Sequence, residues 1–188
     1  SQVHEGGIMR ELSLFSGGGG GLIASKHLLN WRTVGYVEFN EDCQEIIAQR
    51  IKDNLLDEAP IFSDVRTFIS EGYAEAYKGM VDVISGGFPC QPFSVAGRQK
   101  GADDSRNMFP QVIEIAKIVR SRLLFLENVP TLLNCGYFPT VLSSLSEAGY
   151  DARWVCLGAD DVGARHRRKR LWLRCELADS NSKPRRQG

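Results

Sequence analysis

The chain has 188 residues, of which 43% are apolar and 24% are charged, and its formal net charge is zero. These values are ordinary for one soluble domain with a hydrophobic core. They exclude a membrane-spanning protein, because no apolar run reaches the ~20 residues that a span needs. No secretory signal is visible, so a cytoplasmic location is expected. The five cysteines are widely spaced without a Cys-x-x-Cys pair, which favours reduced thiols over a disulfide framework or a zinc site.

The zero net charge hides an asymmetry between the two ends of the chain. Residues 151–188 hold ten Lys or Arg and five Asp or Glu, whereas residues 1–150 hold thirteen and eighteen. A basic end suggests a face for an anionic partner, and nucleic acid is the first candidate. A solvated charged surface is the alternative, and we prefer it for the last six residues.

Apolar runs of strand length alternate with segments of helical spacing along the chain. Strands are predicted at Leu12–Phe15, Thr33–Val37, Ile61-Phe62, Val81–Ser85, Leu123–Leu126, Arg153–Leu157 and Arg170–Cys175. Helices are predicted at Leu22–Leu29, Glu41–Ile51, Val112–Val119 and Phe138–Ala148. Strands separated by helices imply parallel pairing with crossover helices, and therefore a three-layer α/β sheet. Ligands of such sheets bind at the carboxyl ends of the strands.

Five glycines, Gly17–Gly21, follow the first predicted strand. They allow a ligand to approach the backbone where any Cβ would collide. The run is not a Walker loop, because no Gly-Lys-Ser/Thr follows it. It also fails Gly-x-Gly-x-x-Gly, because Leu22 stands at the third glycine position. A ligand with a nucleoside but no phosphate is therefore a candidate, and a flexible turn remains the alternative.

Two carboxylates follow the next two strands. Glu38 lies 21 residues after Gly17, where a carboxylate can accept both hydroxyls of a ribose. Asp64 could accept a hydrogen bond from an adenine amino group. Either residue alone is more often a surface or capping carboxylate, but the two behind a glycine loop favour an adenosine-bearing cofactor.

A cysteine, Cys90, follows the fourth predicted strand between Pro89 and Pro92. Proline fixes its own φ and restricts the residue before it, so the thiol is held on a stiff turn at a strand end. Such a mounting suits a nucleophile. Glu127, which ends the apolar run Leu123–Leu126, could supply a proton to a ring under attack by that thiol. A structural hydrogen bond to a loop backbone is the alternative role for Glu127.

A basic run, Arg165–Arg170, leads into the last predicted strand. With strand periodicity His166, Arg168 and Arg170 share one face, which could reach into a site while the other face meets phosphate. A solvent-facing run is the alternative.

From about Arg10 to Arg174 the chain resembles the cytosine-5 DNA methyltransferases, which use S-adenosylmethionine. Six motifs of that family occur in order and at the family's spacing. They are Leu14-Phe15-Ser16-Gly17 with the glycines that follow, Glu38, Asp64-Val65, Pro89-Cys90-Gln91 continued by Phe93-Ser94 and a loop to Arg106, Glu127-Asn128-Val129, and His166-x-Arg168-x-Arg170.

The resemblance implies the S-adenosylmethionine-dependent methyltransferase fold, a Rossmann-like, mostly parallel sheet with helices on both faces. It implies no metal. The implied catalytic residues are Cys90, Glu127, Arg168 and Arg170. The implied cofactor-binding residues are Phe15, Ser16, Gly17, Gly19, Gly20, Glu38, Asp64, Val65 and Pro89. The implied DNA-binding residues are Gln91, Ser94, Arg106 and His166, and segment 94–106 is expected to be a mobile lid.

The implied function is methyl transfer to carbon 5 of a flipped-out cytosine in double-stranded DNA, within a restriction-modification or phage system. A catalytically silent module that binds DNA or protein, or a tRNA cytosine-5 methyltransferase, is the alternative. Residues 1–8 are expected to be a vector remnant or loose leader, residues 9–176 the catalytic domain, and residues 177–188 the start of a target-recognition region. A second chain carrying that region is a further candidate partner.

The chain departs from the family pattern at several positions. Ser13 stands where many members have Asp, and Gly18 and Gly21 replace larger apolar residues. Asn107 replaces a glycine, and His166 replaces a glutamine. The family's variable target-recognition region and its last two motifs, one of which closes the cofactor pocket, have no counterpart in these 188 residues.

Overall fold

The computed structural model describes residues 7–89, 107–158 and 169–178. The strands in these ranges are β1 (Met9–Leu14), β2 (Trp31–Val37), β3 (Ile61–Phe62), β4 (Val83–Gly87), β5 (Leu123–Asn128), β6 (Tyr150–Gly158) and β7 (Lys169–Leu177). The helices are α1 (Gly20–Leu29), α2 (Glu41–Lys52), α3 (Val65–Ser70), α4 (Tyr73–Ala76), α5 (Phe109–Val119) and α6 (Phe138–Glu147), with a 3-10 helix at Pro130–Asn134. Across these ranges every helix is too short or too polar to cross a membrane.

The described strands form one seven-stranded sheet in the order β3-β2-β1-β4-β5-β7-β6. Strands β1 to β5 pair in parallel, which confirms the predicted mostly parallel sheet. The expectation of parallel pairing was wrong for the last two strands, because β7 lies antiparallel to both β5 and β6. Strands β6 and β7 are neighbours in sequence and in the sheet, and such neighbours can pair without a crossover helix.

Side chains of successive strand residues point to opposite faces of the sheet, and each face has its own core. The larger core packs strand residues such as Leu12, Ile84 and Leu124 against helices α3 to α6. A smaller core on the other side of the sheet joins α1 and α2 to β2 through Leu22 and Ile47. Helices therefore cover both faces, as the α/β prediction required.

Strands β1 and β4 approach each other closely at Gly86. A Cβ at this position would overlap the carbonyl oxygen of Leu14, so the contact requires glycine. Because the two strands pair in parallel, this contact brings the glycine loop after β1 next to the turn that follows β4.

Candidate active site

The loop between β1 and α1 lies at the carboxyl edge of the sheet. Phe15 has a φ of 52° and Gly17 a φ of 56°. A bulky residue in the left-handed region is uncommon, and such residues cluster at functional sites. The hydroxyl of Ser16 lies 2.9 Å from that of Ser13 and donates to the Ser13 carbonyl at 3.2 Å. These bonds hold the loop in one shape. A Cβ on Gly17 or Gly20 would have nothing within 4 Å, so the loop leaves open space for a ligand.

Glu38 joins this loop to the end of β2. Its carboxylate accepts a hydrogen bond from the Gly17 N–H at 2.5 Å and another from the Asn40 N–H at 3.0 Å. A carboxylate has about four acceptor positions, so two bonds leave capacity for ligand hydroxyls. The side chain is half-buried. Glu38 therefore helps to shape the glycine loop.

A cleft of about 630 Å³ is lined by residues that include Phe39, Asn40, Asp64 and Thr67. Asp64 is the N-cap of α3, and its side chain accepts the N–H of Arg66 at 2.8 Å. The side chain of Val65 is buried in the larger core. The ring of Phe39 is 76% exposed, although it follows a strand. Phe39 was not among the predicted site residues. Its position directly after Glu38 is the feature of the sequence that could have indicated it.

Glu127 and Arg170 meet at the same edge of the sheet. Arg170 Nε lies 2.6 Å from Glu127 Oε1, and both side chains are partly exposed. Glu127 is paired in register with Gly87, the last residue of β4, and a Cβ on Gly87 would lie 3.8 Å from the Glu127 carboxylate. Pro89 is exposed two residues further on. The acid and the arginine are therefore brought to the strand end that carries the predicted nucleophile.

Several predicted site residues lie outside the described ranges. They are Cys90, Gln91, Ser94, Arg106, His166 and Arg168, together with the predicted lid at 94–106. Their roles stay predictions. The described residues nevertheless converge at one edge of the sheet. The glycine loop, Glu38 and Pro89 follow strands that end there, Glu127 is the second-last residue of β5, and Arg170 is the second residue of β7.

A buried carboxylate lies deeper in the sheet than these residues. Glu11 is 1% exposed, and its carboxylate accepts hydrogen bonds from Ser85 at 2.5 Å, Ser25 at 3.1 Å and Thr33 at 3.4 Å. Burial raises the pKa of Glu11 above its ordinary value, although the three hydroxyls oppose this. Glu11 thus ties β1 to α1, β2 and β4, the elements that carry the glycine loop and the Pro89 turn.

An apolar cleft of about 410 Å³ runs from the glycine loop to Glu127 along this face. Four aromatic residues line it, and three of them contact one another. The Phe125 ring stacks on Trp172 at 5.1 Å between centroids and meets Trp31 edge-on at 6.1 Å. Glu11, Ser13 and Ser85 line its floor. The face of β5 and β7 near the site is therefore aromatic and only partly covered by the described helices.

Comparison with known proteins finds one family that matches most of the chain. The family described as C-5 cytosine-specific DNA methylase matches residues 9–187. The chain belongs to this family. The matched range covers nearly all of the chain and includes every described strand.

Curated relatives within the methylase family are type II methyltransferases. M.NgoMIV of Neisseria gonorrhoeae is 33% identical over 158 residues, which cover 82% of this chain and 47% of that protein. M.CviJI of Paramecium bursaria Chlorella virus IL3A is 33% identical over 73% of this chain and 35% of its own length. M.AquIA of Picosynechococcus sp. is 30% identical over 86% of this chain and 69% of its own length. The chain therefore spans between a third and a half of the first two relatives and about two thirds of the third.

Solved structures similar to this methylase domain support the fold. The Spodoptera frugiperda DNMT2 mutant E260A/E261A/K263A has a TM-score of 0.68 at 21% identity, over 95% of this chain and 53% of that one. The Entamoeba histolytica methyltransferase EhMeth has a TM-score of 0.69 at 18% identity, over 94% and 55%. At these identities the likeness concerns the fold alone. It confirms the predicted methyltransferase architecture.

Proposed function

We propose that this chain is the catalytic part of a DNA (cytosine-5)-methyltransferase of a restriction-modification or phage system. It would transfer a methyl group from S-adenosylmethionine to carbon 5 of a flipped-out cytosine. The observation that carries the proposal is the Glu127–Arg170 ion pair, which lies beside Gly87, three residues before Cys90. Membership of the methylase family supplies the reaction class.

The residues at the carboxyl edge fit S-adenosylmethionine. The open space over Gly17 and Gly20 allows close approach to the backbone, and Glu38 has acceptor capacity for ribose hydroxyls. The exposed ring of Phe39 suits stacking of an adenine, and Asp64 lines the same cleft, where it could accept from the adenine amino group. Phe15, Ser16, Gly19 and Pro89 would complete the contacts, and Val65 would contribute only its backbone. When bound, the cofactor supplies a methyl group on an electron-poor sulfur.

The chain's own residues account for activation of the base. Carbon 5 of cytosine is a poor nucleophile, so the Cys90 thiolate adds to carbon 6 and forms an S–C6 bond. Glu127 holds a proton at ring nitrogen 3, which takes up the electron pair displaced by that addition. Arg170 fixes the Glu127 carboxylate at 2.6 Å, and Arg168 is assigned to the same flipped nucleotide. The addition makes carbon 5 nucleophilic, so that carbon 5 would bond to the methyl group as the methyl–sulfur bond breaks. Loss of the carbon 5 proton to a base then breaks the S–C6 bond and restores the thiolate.

Double-stranded DNA is the proposed partner, because the target base must leave the stack to reach Cys90. Gln91, Ser94, Arg106 and His166 are assigned to DNA contacts. The basic run at 165–170 supplies too few charges for tight binding at physiological salt by itself. A cytoplasmic location belongs to the same proposal.

We further propose that a target-recognition region, in the same or a second polypeptide, is needed for activity. The relatives named above are longer than this chain. The aromatic cleft of Trp31, Phe125 and Trp172 adjoins the glycine loop and offers an apolar surface for a segment that closes the cofactor pocket. The 188-residue chain alone is expected to bind cofactor weakly and to methylate DNA negligibly.

A covalent trap tests the proposed function. DNA containing 5-fluorocytosine, incubated with the active enzyme and S-adenosylmethionine, should form an adduct at Cys90, because fluorine cannot leave as a proton does. Cys90→Ala should abolish the adduct, and Cys156→Ser, at an exposed cysteine of β6, should not. An adduct that survives Cys90→Ala would overturn the assignment.

A substrate comparison separates the alternative functions. The active enzyme should methylate duplex DNA in preference to tRNA. Methylation of tRNA alone would support the tRNA enzyme, and DNA binding without methylation would support the silent module.

A further inference from the structure

Two buried hydrogen bonds hold the backbone on either side of segment 90–106. Before the segment, the side-chain amide of Asn128 donates to the Phe88 carbonyl at 3.0 Å. After it, the side-chain amide of Asn107 donates to the Tyr137 hydroxyl at 2.7 Å. Asn107 is 5% exposed and Tyr137 is 7% exposed. Asn128 is the last residue of β5, directly after Glu127, and Tyr137 is the N-cap residue of α6.

The two ends of the segment also contact each other. The Met108 N–H donates to the Pro89 carbonyl at 3.4 Å, and the Asn107 side-chain oxygen accepts the Phe109 N–H at 3.1 Å, at the start of α5. A row of three rings connects the same points. Phe88 lies 5.0 Å from Phe109, and Phe109 meets the Tyr137 ring edge-on at 6.4 Å.

The ring and the hydroxyl of Tyr137 make separate contacts. Its ring packs on Phe109, so removal of the hydroxyl alone leaves the apolar contact in place. The hydroxyl fixes Asn107 relative to the β5–α6 connection, and the Met108–Pro89 bond relates that point to the residue before Cys90. A displaced anchor would shift the Pro89 backbone relative to Glu127, and reaction rates fall steeply when reacting groups are misplaced by about 1 Å.

We propose that Tyr137, through its bond to Asn107, is a positioning residue that fixes the backbone turn at Pro89 relative to the Glu127 carboxylate. The inference rests on the proposed function, because it assumes that Cys90 is the nucleophile. Tyr137 touches neither substrate nor cofactor in this assignment. Its effect is therefore expected in the rate of thiol addition and not in cofactor affinity.

Tyr137→Phe in the active enzyme tests the proposal. The rate of covalent trapping by 5-fluorocytosine DNA should fall about tenfold, while the Kd for S-adenosylhomocysteine stays within twofold of the parent. Asn107→Ala should give a similar reduction. The double variant should be no slower than the slower single variant, because both changes remove the same bond.

Tyr150→Phe is the matched control. The Tyr150 hydroxyl is also buried and donates to a backbone carbonyl, that of Ser121, at 2.7 Å, at the opposite edge of the sheet. Tyr150→Phe should lower the melting temperature by about as much as Tyr137→Phe does, because each variant loses one buried hydrogen bond. It should leave the trapping rate unchanged. A trapping rate for Tyr137→Phe within twofold of the parent, or an equal reduction in Tyr150→Phe, would overturn the positioning role. A parent enzyme that forms no adduct would instead refute the proposed function.

Discussion

Arg170 and Glu127 lie on neighbouring antiparallel strands, with the Arg170 Nε 2.6 Å from Glu127 Oε1. Glu127 lies directly opposite Trp172, and Arg170 precedes Trp172 by two residues. Arg170 and Glu127 are therefore diagonal neighbours on one face of the sheet. Exposed ion pairs contribute little to stability, so the value of this partly exposed pair is the orientation that it gives to the carboxylate. The arrangement leads to a prediction that separates catalysis from folding.

Arg170→Ala is expected to lower kcat by about a hundredfold, since the acid loses the group that orients it beside the base. The melting temperature should change little. Steady-state methylation kinetics and thermal denaturation of the same preparations measure both effects.

Arg174→Ala is the control for this change. Arg174 lies on the same strand and pairs with Glu176 at 2.5 Å, with both side chains about half exposed. Its loss should leave kcat unchanged. Equal loss of activity in both variants would mean that Arg170 acts through general charge on β7.

Glu38→Gln is expected to weaken S-adenosylhomocysteine binding at least tenfold. An amide has only one acceptor oxygen, so the variant cannot accept both the Gly17 and Asn40 N–H groups and still serve ribose hydroxyls. Isothermal titration calorimetry measures the affinity. Glu45→Gln, at an exposed position of α2, should have no effect. A large fall in melting temperature with unchanged affinity would make Glu38 a purely structural residue.

Gly20→Ala is expected to preserve the fold and weaken cofactor binding. Nothing lies within 4 Å of a Cβ at Gly20, and alanine is favoured over glycine in a helix by up to about 1 kcal/mol. The melting temperature should therefore stay the same or rise, whereas a ligand seated on the loop would meet the added methyl group. Unchanged affinity would remove Gly20 from the cofactor site.

Gly86→Ala, unlike Gly20→Ala, is expected to destabilise the fold. Its Cβ would overlap the Leu14 carbonyl between two central strands, so the melting temperature should fall by several degrees or the chain should fail to fold. A variant as stable as the parent would show that β1 and β4 can separate at this point.

Glu11→Gln tests the buried carboxylate. Because burial raises the pKa of Glu11 in the folded chain, the folded state binds its proton more tightly than the unfolded state. The parent therefore loses stability as pH rises from the unfolded pKa, near 4.5, through the folded pKa. Glutamine does not titrate, so the melting temperature of the parent minus that of the variant should decrease over this interval and level off above it. A difference that is independent of pH would show that Glu11 has the same pKa in the folded and unfolded chain. Asp57 also raises the pKa of Glu11, so it must be unchanged in both proteins.

The carboxyl edge was predictable because its residues follow apolar runs. Glu38 comes directly after β2 and Glu127 after the apolar part of β5, so strand prediction alone brought them together. Strand β5 nevertheless continues through Glu127 to Asn128. The extension depends on pairing with β7, which the sequence of β5 does not contain.

Other features depend on contacts between distant segments. Helices α3 and α4 were missed because six and four residues are too few to show helical periodicity. The Asp64 side chain caps α3, and its assignment to the cofactor stays a prediction. The burial of Glu11 requires hydroxyls from three separate elements, and no local pattern in β1 indicates them. The Asn107–Tyr137 bond likewise joins residues that are 30 positions apart.

The direction of β7 has a consequence for protein engineering. Arg170 is the second residue of this nine-residue strand and lies at the site. Ala178 follows the last residue of the strand, and its N–H donates to the Gly149 carbonyl at the opposite edge of the sheet. Nine strand residues span about 30 Å. A fluorophore or fusion partner attached at Ala178 would therefore sit far from the chemistry. A DNA-reading module joined there would need a linker of at least that reach to return to the target base.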